Sequence, residues 1–153
     1  MADIHIDEFF CDCSRALVLL YNSFPRQVTL YIDDIVSTTA TDEFGIPTKR
    51  HQACLDALLW LAAEGYIRYH DRIRHEGLDQ VVLTERSFLR LSKPTLEPGA
   101  ENALPPSVSK KLSTLAWQMR KAVNSGSSDA INQVGLAFFN RQYKENVKIN
   151  GHD

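Results

Sequence analysis

Apolar residues recur at three- and four-residue spacing over 48–64, where Cys54, Leu58, Leu61 and Ala62 form one stripe. Thr48, just after Pro47, is placed to cap a helix there, because its hydroxyl can accept from a free amide of the first turn. Gly65 stands where a left-handed C-cap residue is wanted. The pattern predicts a helix of about five turns, and the rest of the chain is arranged around it. Upstream, Phe9 or Phe10, Cys13, Leu17 and Leu20 or Tyr21 share one face and predict a first helix over 7–22, stopped by Pro25. VTLYI at 28–32 alternates and predicts a short strand. In DDIVSTT, Asp33 or Asp34 could cap a short helix, and 40–47, with Gly45 and Pro47, reads as a loop. Downstream, 66–73 is a strand candidate, RHEGL at 74–78 supplies a turn with Gly77, and 80–83 returns as a second strand. Thr84 can then cap a helix that turns Phe88 and Leu91 inward.

The pattern changes at residue 93. Pro94, Pro98, Gly99, Pro105 and Pro106 make 93–106 a partly extended linker. Val108, Leu112, Leu115, Met119 and Ala122 predict an amphipathic helix over 107–123, and NSGSS at 124–128 breaks it. Ser128 or Asp129 caps a last helix with Ile131, Val134, Phe138, Phe139, Tyr143 and Val147, before a frayed tail, KINGHD. The expected organisation is a domain over 1–92, the linker, and a C-terminal helical pair with tail over 107–153. Two helices cannot bury both their stripes alone, so the pair must dock on the first domain, on another chain, or on both. Trp60, Trp117, Phe138 and Phe139 are its expected anchors, since aromatic side chains often dominate association surfaces.

Composition narrows the class. With 44% apolar residues the chain can bury a core, and no apolar run approaches the roughly 20 residues that span a bilayer. The acidic start, MADIHIDEFF, does not read as a secretory or transit signal, so a cytoplasmic protein is expected. Cys11 and Cys13 would point about 200° apart on a helix. That spacing, with only Cys54 besides, predicts buried reduced thiols and neither a disulfide framework nor a zinc site. The net charge of −2 hides a segregation: residues 1–43 carry −6 and residues 107–150 carry +5. That asymmetry fits an internal contact or a basic face for an anionic partner. No enzyme is expected. The five histidines show no metal-ligand spacing, Asp33–Asp34 is more easily a cap than a dyad, and neither a nucleophile elbow nor a glycine-rich phosphate loop is present. No cofactor is expected either.

Two phrases carry a family resemblance. LLWLAAEGYI is similar to the end of the recognition helix of the winged helix-turn-helix domain, and VVLTERSFLRL to its second wing strand running into a Leu-Thr helix start. Over residues 7–92 the chain thus resembles that domain. The resemblance implies a mainly α fold with a small β-wing, followed here by the C-terminal helical pair. It also implies a transcriptional regulator that binds double-stranded DNA, in the common case as a homodimer. The matching positions are Thr48, Lys49, Arg50 and Gln52 on the helix and Arg68, His70, Arg72, Arg74 and His75 on the wing. Cationic and amide donors there are what phosphate oxygens and base edges require. His51, His70 and His75 would then tighten binding as pH falls toward 6. The alternative is a winged helix used as a protein-interaction module without nucleic acid. Overall acidity, Asp56 and the apolar pair Leu59–Trp60 favour it.

Overall fold

A computed structural model describes residues 3–36, 43–94 and 114–150, the last ten of these by backbone alone. The first helix, α1, spans Ile4–Ser23 and starts three residues before the predicted 7–22. Its first turn is held by the amides of Ile6 and Asp7 on the Asp3 carbonyl, while Ile4 and Ile6 stay exposed, so burial leaves no trace of it in the pattern. Strand β1 (Val28–Tyr31) follows. The expected helix capped by Asp33 or Asp34 is instead a single 3-10 turn, Ile32–Asp34, which contains both aspartates. Ile32, Ile35 and Val36 are all buried, and the amides of Ile35 and Val36 close on the Ile32 carbonyl. The rest of that expected helix, 37–39, lies outside the described residues.

Helix α2 (Lys49–Ala63) forms as its caps dictate. Thr48 Oγ1 accepts from the His51 amide at 3.2 Å. At the other end Gly65 takes φ +80°, its amide donates to Ala62 O at 3.1 Å, and the Tyr66 amide donates to Leu61 O at 2.8 Å. That pair of bonds is the left-handed C-terminal motif in which only glycine is unstrained.

The strands β2 (Ile67–Arg68), β3 (Asp71–Ile73) and β4 (Gly77–Leu83) complete one small antiparallel sheet. β4 is central, with β1 on one side and β2 and β3 on the other. The predicted strand 66–73 is therefore two pieces. Across from the break, β4 carries an extra residue relative to β1, between the Val28↔Val81 and Leu30↔Leu78 pairs, and Gln80 takes φ +52°. The predicted glycine turn also changes hands. The turn closes by the Glu76 amide on Ile73 O at 2.8 Å and puts Arg74 at φ +44°. Gly77 is already in the strand, where a Cβ would lie 2.3 Å from the Leu30 carbonyl oxygen, so close strand packing demands the glycine.

Helix α3 (Glu85–Ser92) starts at Thr84, whose hydroxyl accepts from the Ser87 amide at 3.4 Å. Leu91 is fully buried, and half-buried Phe88 stacks on Phe24 with 4.2 Å between ring centres. Helix α4 is Leu115–Ser125, not 107–123. Thr114 is extended, caps the helix by accepting from the Trp117 amide at 3.2 Å, and bridges to Pro94. Val108 and Leu112 lie outside the described residues. Gly126 ends α4 at φ +71°, and Ser127, rather than Ser128 or Asp129, caps α5 (Ser128–Asn150) through the Ala130 amide. The Tyr143 and Val147 side chains and the tail 151–153 are likewise outside.

The chain is thus mainly helical with a small antiparallel sheet. α1 packs on α2, α4 and α5, and β4 also packs on it. Leu17, Leu20, Leu55, Leu58, Leu61, Met119 and Phe138 are core residues of a single cluster. The C-terminal pair docks within its own chain, so closely that a Cβ on Gly135 would stand 2.5 Å from the Phe10 ring. The acidic and basic segments meet there, but among the described residues no ion pair joins them. The polar contacts are Asn132 Nδ2 to Asp7 Oδ1 at 2.6 Å and Arg120 to the Asn22 amide oxygen. No described helix is long and apolar enough to cross a membrane.

Candidate nucleic-acid interface

The first turn of α2 is largely engaged with its own chain. Thr48 spends its hydroxyl on the cap. Lys49 is exposed. Arg50 instead turns to α1 and grips the buried Asp12 carboxylate with two bonds of 2.8 and 2.6 Å, with Glu8 at 3.7 Å. The hydrogen bond to Asp12 holds the guanidinium pKa above its ordinary value against the opposing effect of burial. His51 is only 1% exposed, and neither ring nitrogen has a hydrogen-bond partner, so it belongs to the interior and cannot face phosphate. Gln52 donates to Asp56 Oδ1 at 3.1 Å. What α2 shows outward is a stripe of Lys49, Ala53, Asp56, Trp60 and Ala63.

The hairpin side keeps its cations accessible. Arg68, His70, Arg72 and Arg74 are exposed, and His75 is half-buried. Arg72 Nε donates to Arg74 O at 2.7 Å, which folds that side chain over the turn. Asp71 and Glu76 are exposed beside them. Asp79 accepts from Thr29 Oγ1 at 2.8 Å and from the Gln80 amide at 3.0 Å, tying the bulge to β1. Residues 67–80 carry three arginines and three carboxylates, so the hairpin has donors but little net charge.

The anchors predicted for an association surface have different fates. Phe138 is fully buried in its own chain's core and is not available to a seam. Phe139 and Trp117 are half-buried, the latter under the Lys121 ammonium at 5.2 Å. Trp60 is 40% exposed. It stands edge-on to Phe9 and Phe139 at 5.2 and 5.6 Å and stacks toward Tyr66 at 6.0 Å.

One polar cluster escaped the sequence reading. Cys13 and Cys54 are buried near Asp12, and both thiols are pushed to high pKa, first by burial and then by the Asp12 charge. The signal was present: Asp12 lies one and two turns before Ala16 and Leu20, a carboxylate inside an apolar stripe. Among the described residues no group of three or more histidine, cysteine or carboxylate side chains could hold a metal ion. Compared with known protein families, curated proteins and solved structures, the chain matches none of them.

Proposed function

We propose that the chain is a winged-helix binding module of the cytoplasm, not an enzyme, and that the outward stripe of α2 docks a second copy of the chain. The winged-helix reading is supported by the order helix, strand, helical turn, helix and three strands, by pairing of β1 with β4, and by the Gly65 exit of α2. The stripe carries the choice of partner. Along about four turns it offers one cation, one carboxylate, two alanines and a 40% exposed tryptophan. Phosphate backbones are met by several cations, whereas protein interfaces are centred on aromatic side chains that lose water. Light scattering should give twice 17.3 kDa for the full chain, and Trp60→Glu should return it to 17.3 kDa. A wild-type mass that stays at 17.3 kDa into the micromolar range would sink this reading.

A second reading, double-stranded DNA as in a transcriptional regulator, is favoured by the exposed Arg68, Arg72 and Arg74 with Lys49. Here the hairpin leads, since Arg50 and His51 are committed inward. Replacing Arg72 and Arg74 by alanine should flatten the log–log salt dependence of duplex affinity by about one unit per lost phosphate contact. An unchanged slope removes the hairpin from any DNA site.

A further inference from the structure

The stripe of α2 is one edge of a wider aromatic surface. Trp60, Phe9, Phe10 and Phe139 come from three helices and touch in a chain. Trp60 meets Phe9 at 5.2 Å, Phe9 meets Phe10 at 5.6 Å, and Phe139 closes on Phe10 and Trp60 at 6.2 and 5.6 Å between ring centres. Trp60 is 40% exposed and the other three are half-buried, so four neighbouring rings all meet water. Carboxylates border them. On α2, Asp56 and Glu64 stand one turn before and one turn after Trp60, both exposed. On α1, Asp3, Asp7 and Glu8 precede Phe9, and neither 3–10 nor 53–66 contains a lysine or arginine. Arg50 reaches Asp12 and Glu8, and among the described residues no cation pairs with Asp3, Asp7, Asp56 or Glu64. An apolar centre with a negative border suits a partner that carries apolar residues between cations.

A segment of that kind follows the patch directly in the chain. α5 runs unbroken from Ser128 to Asn150 and passes the patch at Phe139. Residues 141–150 hold Arg141, Lys144 and Lys148 against one carboxylate, Glu145, and Tyr143 and Val147 continue the four-residue spacing of Phe139. An unbroken helix rises steadily, so Lys148 lies about 13 Å beyond Phe139 along the axis, and the helix cannot turn back over the rings of its own chain. We infer that residues 141–150 of one copy lie on the Trp60–Phe9–Phe139 patch of a second copy. The inference rests on the proposed pairing of two copies through the α2 stripe, and names the segment that meets it. A two-fold axis passing near Phe139 makes the exchange reciprocal, each basic segment starting at its own patch and crossing its partner's.

The test is the self-association constant of the full chain by sedimentation equilibrium. One variant carries Lys144→Glu with Lys148→Glu, the other Asp56→Lys with Glu64→Lys, and circular dichroism checks that each is folded. Each alone should weaken the dimer about tenfold or more, because like charges then face one another. Mixed in equal amounts they should pair as tightly as the parent, since an acidic segment then meets a basic patch in one seam and the reverse holds in the other. The parent dimer should also weaken as sodium chloride rises from about 50 to about 500 mM, where the screening length falls below the reach of exposed charges. A parent chain that stays at 17.3 kDa overturns the pairing and this inference with it. A parent dimer that is indifferent to salt, that survives either reversal, or whose folded variants stay apart when mixed overturns the assignment of 141–150 and leaves the pairing standing.

Discussion

Arg50 has the residue type and the place that suit a phosphate contact, yet its guanidinium is committed to Asp12. The two partners are unequally buried, with side-chain exposures of 25% for Arg50 and 2% for Asp12. Arg50→Ala leaves a carboxylate alone in the interior and should cost about 3–5 kcal/mol of unfolding free energy in urea. Asp12→Ala leaves a cation that still reaches water and Glu8, and should cost nearer 2 kcal/mol. Equal losses would argue against the asymmetry. Any loss of ligand binding in Arg50→Ala therefore has to be read beside its stability. The neighbouring thiols make a second prediction. Cys13 and Cys54 keep their protons in the fold at a pH where the unfolded chain, near the ordinary value of about 9, loses them. Their contribution is complete below that value and declines above it, by about 1.4 kcal/mol per pH unit for each thiol. Between pH 9 and 10.5, Cys54→Ala should show a shallower fall in the urea midpoint than the parent chain. At this scale, legibility in the sequence was partial. A lysine or arginine announces a charge but not its partner, and the partner of Arg50 is 38 residues away.

At the scale of elements, what could be read was what is local. Thr48, Gly65 and Gly126 each act within a few residues of themselves, and each sits where a cap or a break was expected; Thr84 caps α3 as expected but also donates to Gly65 O at 2.8 Å. Thr48→Ala should cost about 1 kcal/mol, the usual loss of a side-chain cap. What could not be read was set by strands and helices distant in the chain. Gly77 looks like a turn residue because it follows RHE, but its requirement comes from β1, 46 residues or so upstream. Gly77→Ala should therefore destabilise by about 1–3 kcal/mol or more, as overpacking against backbone does, whereas Gly45→Ala meets no atom within 4 Å and costs only its φ of +77°. The start of α4 failed for the same kind of reason. The apolar period runs on through Val108 and Leu112, but the Thr114 cap and its bridge to Pro94 decide where the helix begins.

For the molecule as a whole, α1 is buried from several sides. Its contacts with α4 and α5 are as extensive as its contact with α2. A chain cut after Ser92 would uncover the face of α1 that these helices cover. It should bind a hydrophobic dye or aggregate, while the full chain unfolds in one transition by fluorescence and circular dichroism. A soluble, dye-silent fragment with its own cooperative unfolding would show that residues 1–92 stand alone. The apolar stripes foretold that the C-terminal pair must dock somewhere. They could not foretell where, because the same stripe serves a neighbour in the chain or a neighbour in solution. The divided edge of the sheet has one more effect. β2 and β3 offer only two and three residues of ladder, parted at Tyr69 and His70 and flanked by Arg68 and Arg72. An incoming strand from a second chain finds no continuous row of amides and carbonyls to zip onto, and must bring its own backbone past guanidinium groups. Those arginines thus disfavour strand addition along this edge of the sheet, whatever else they meet.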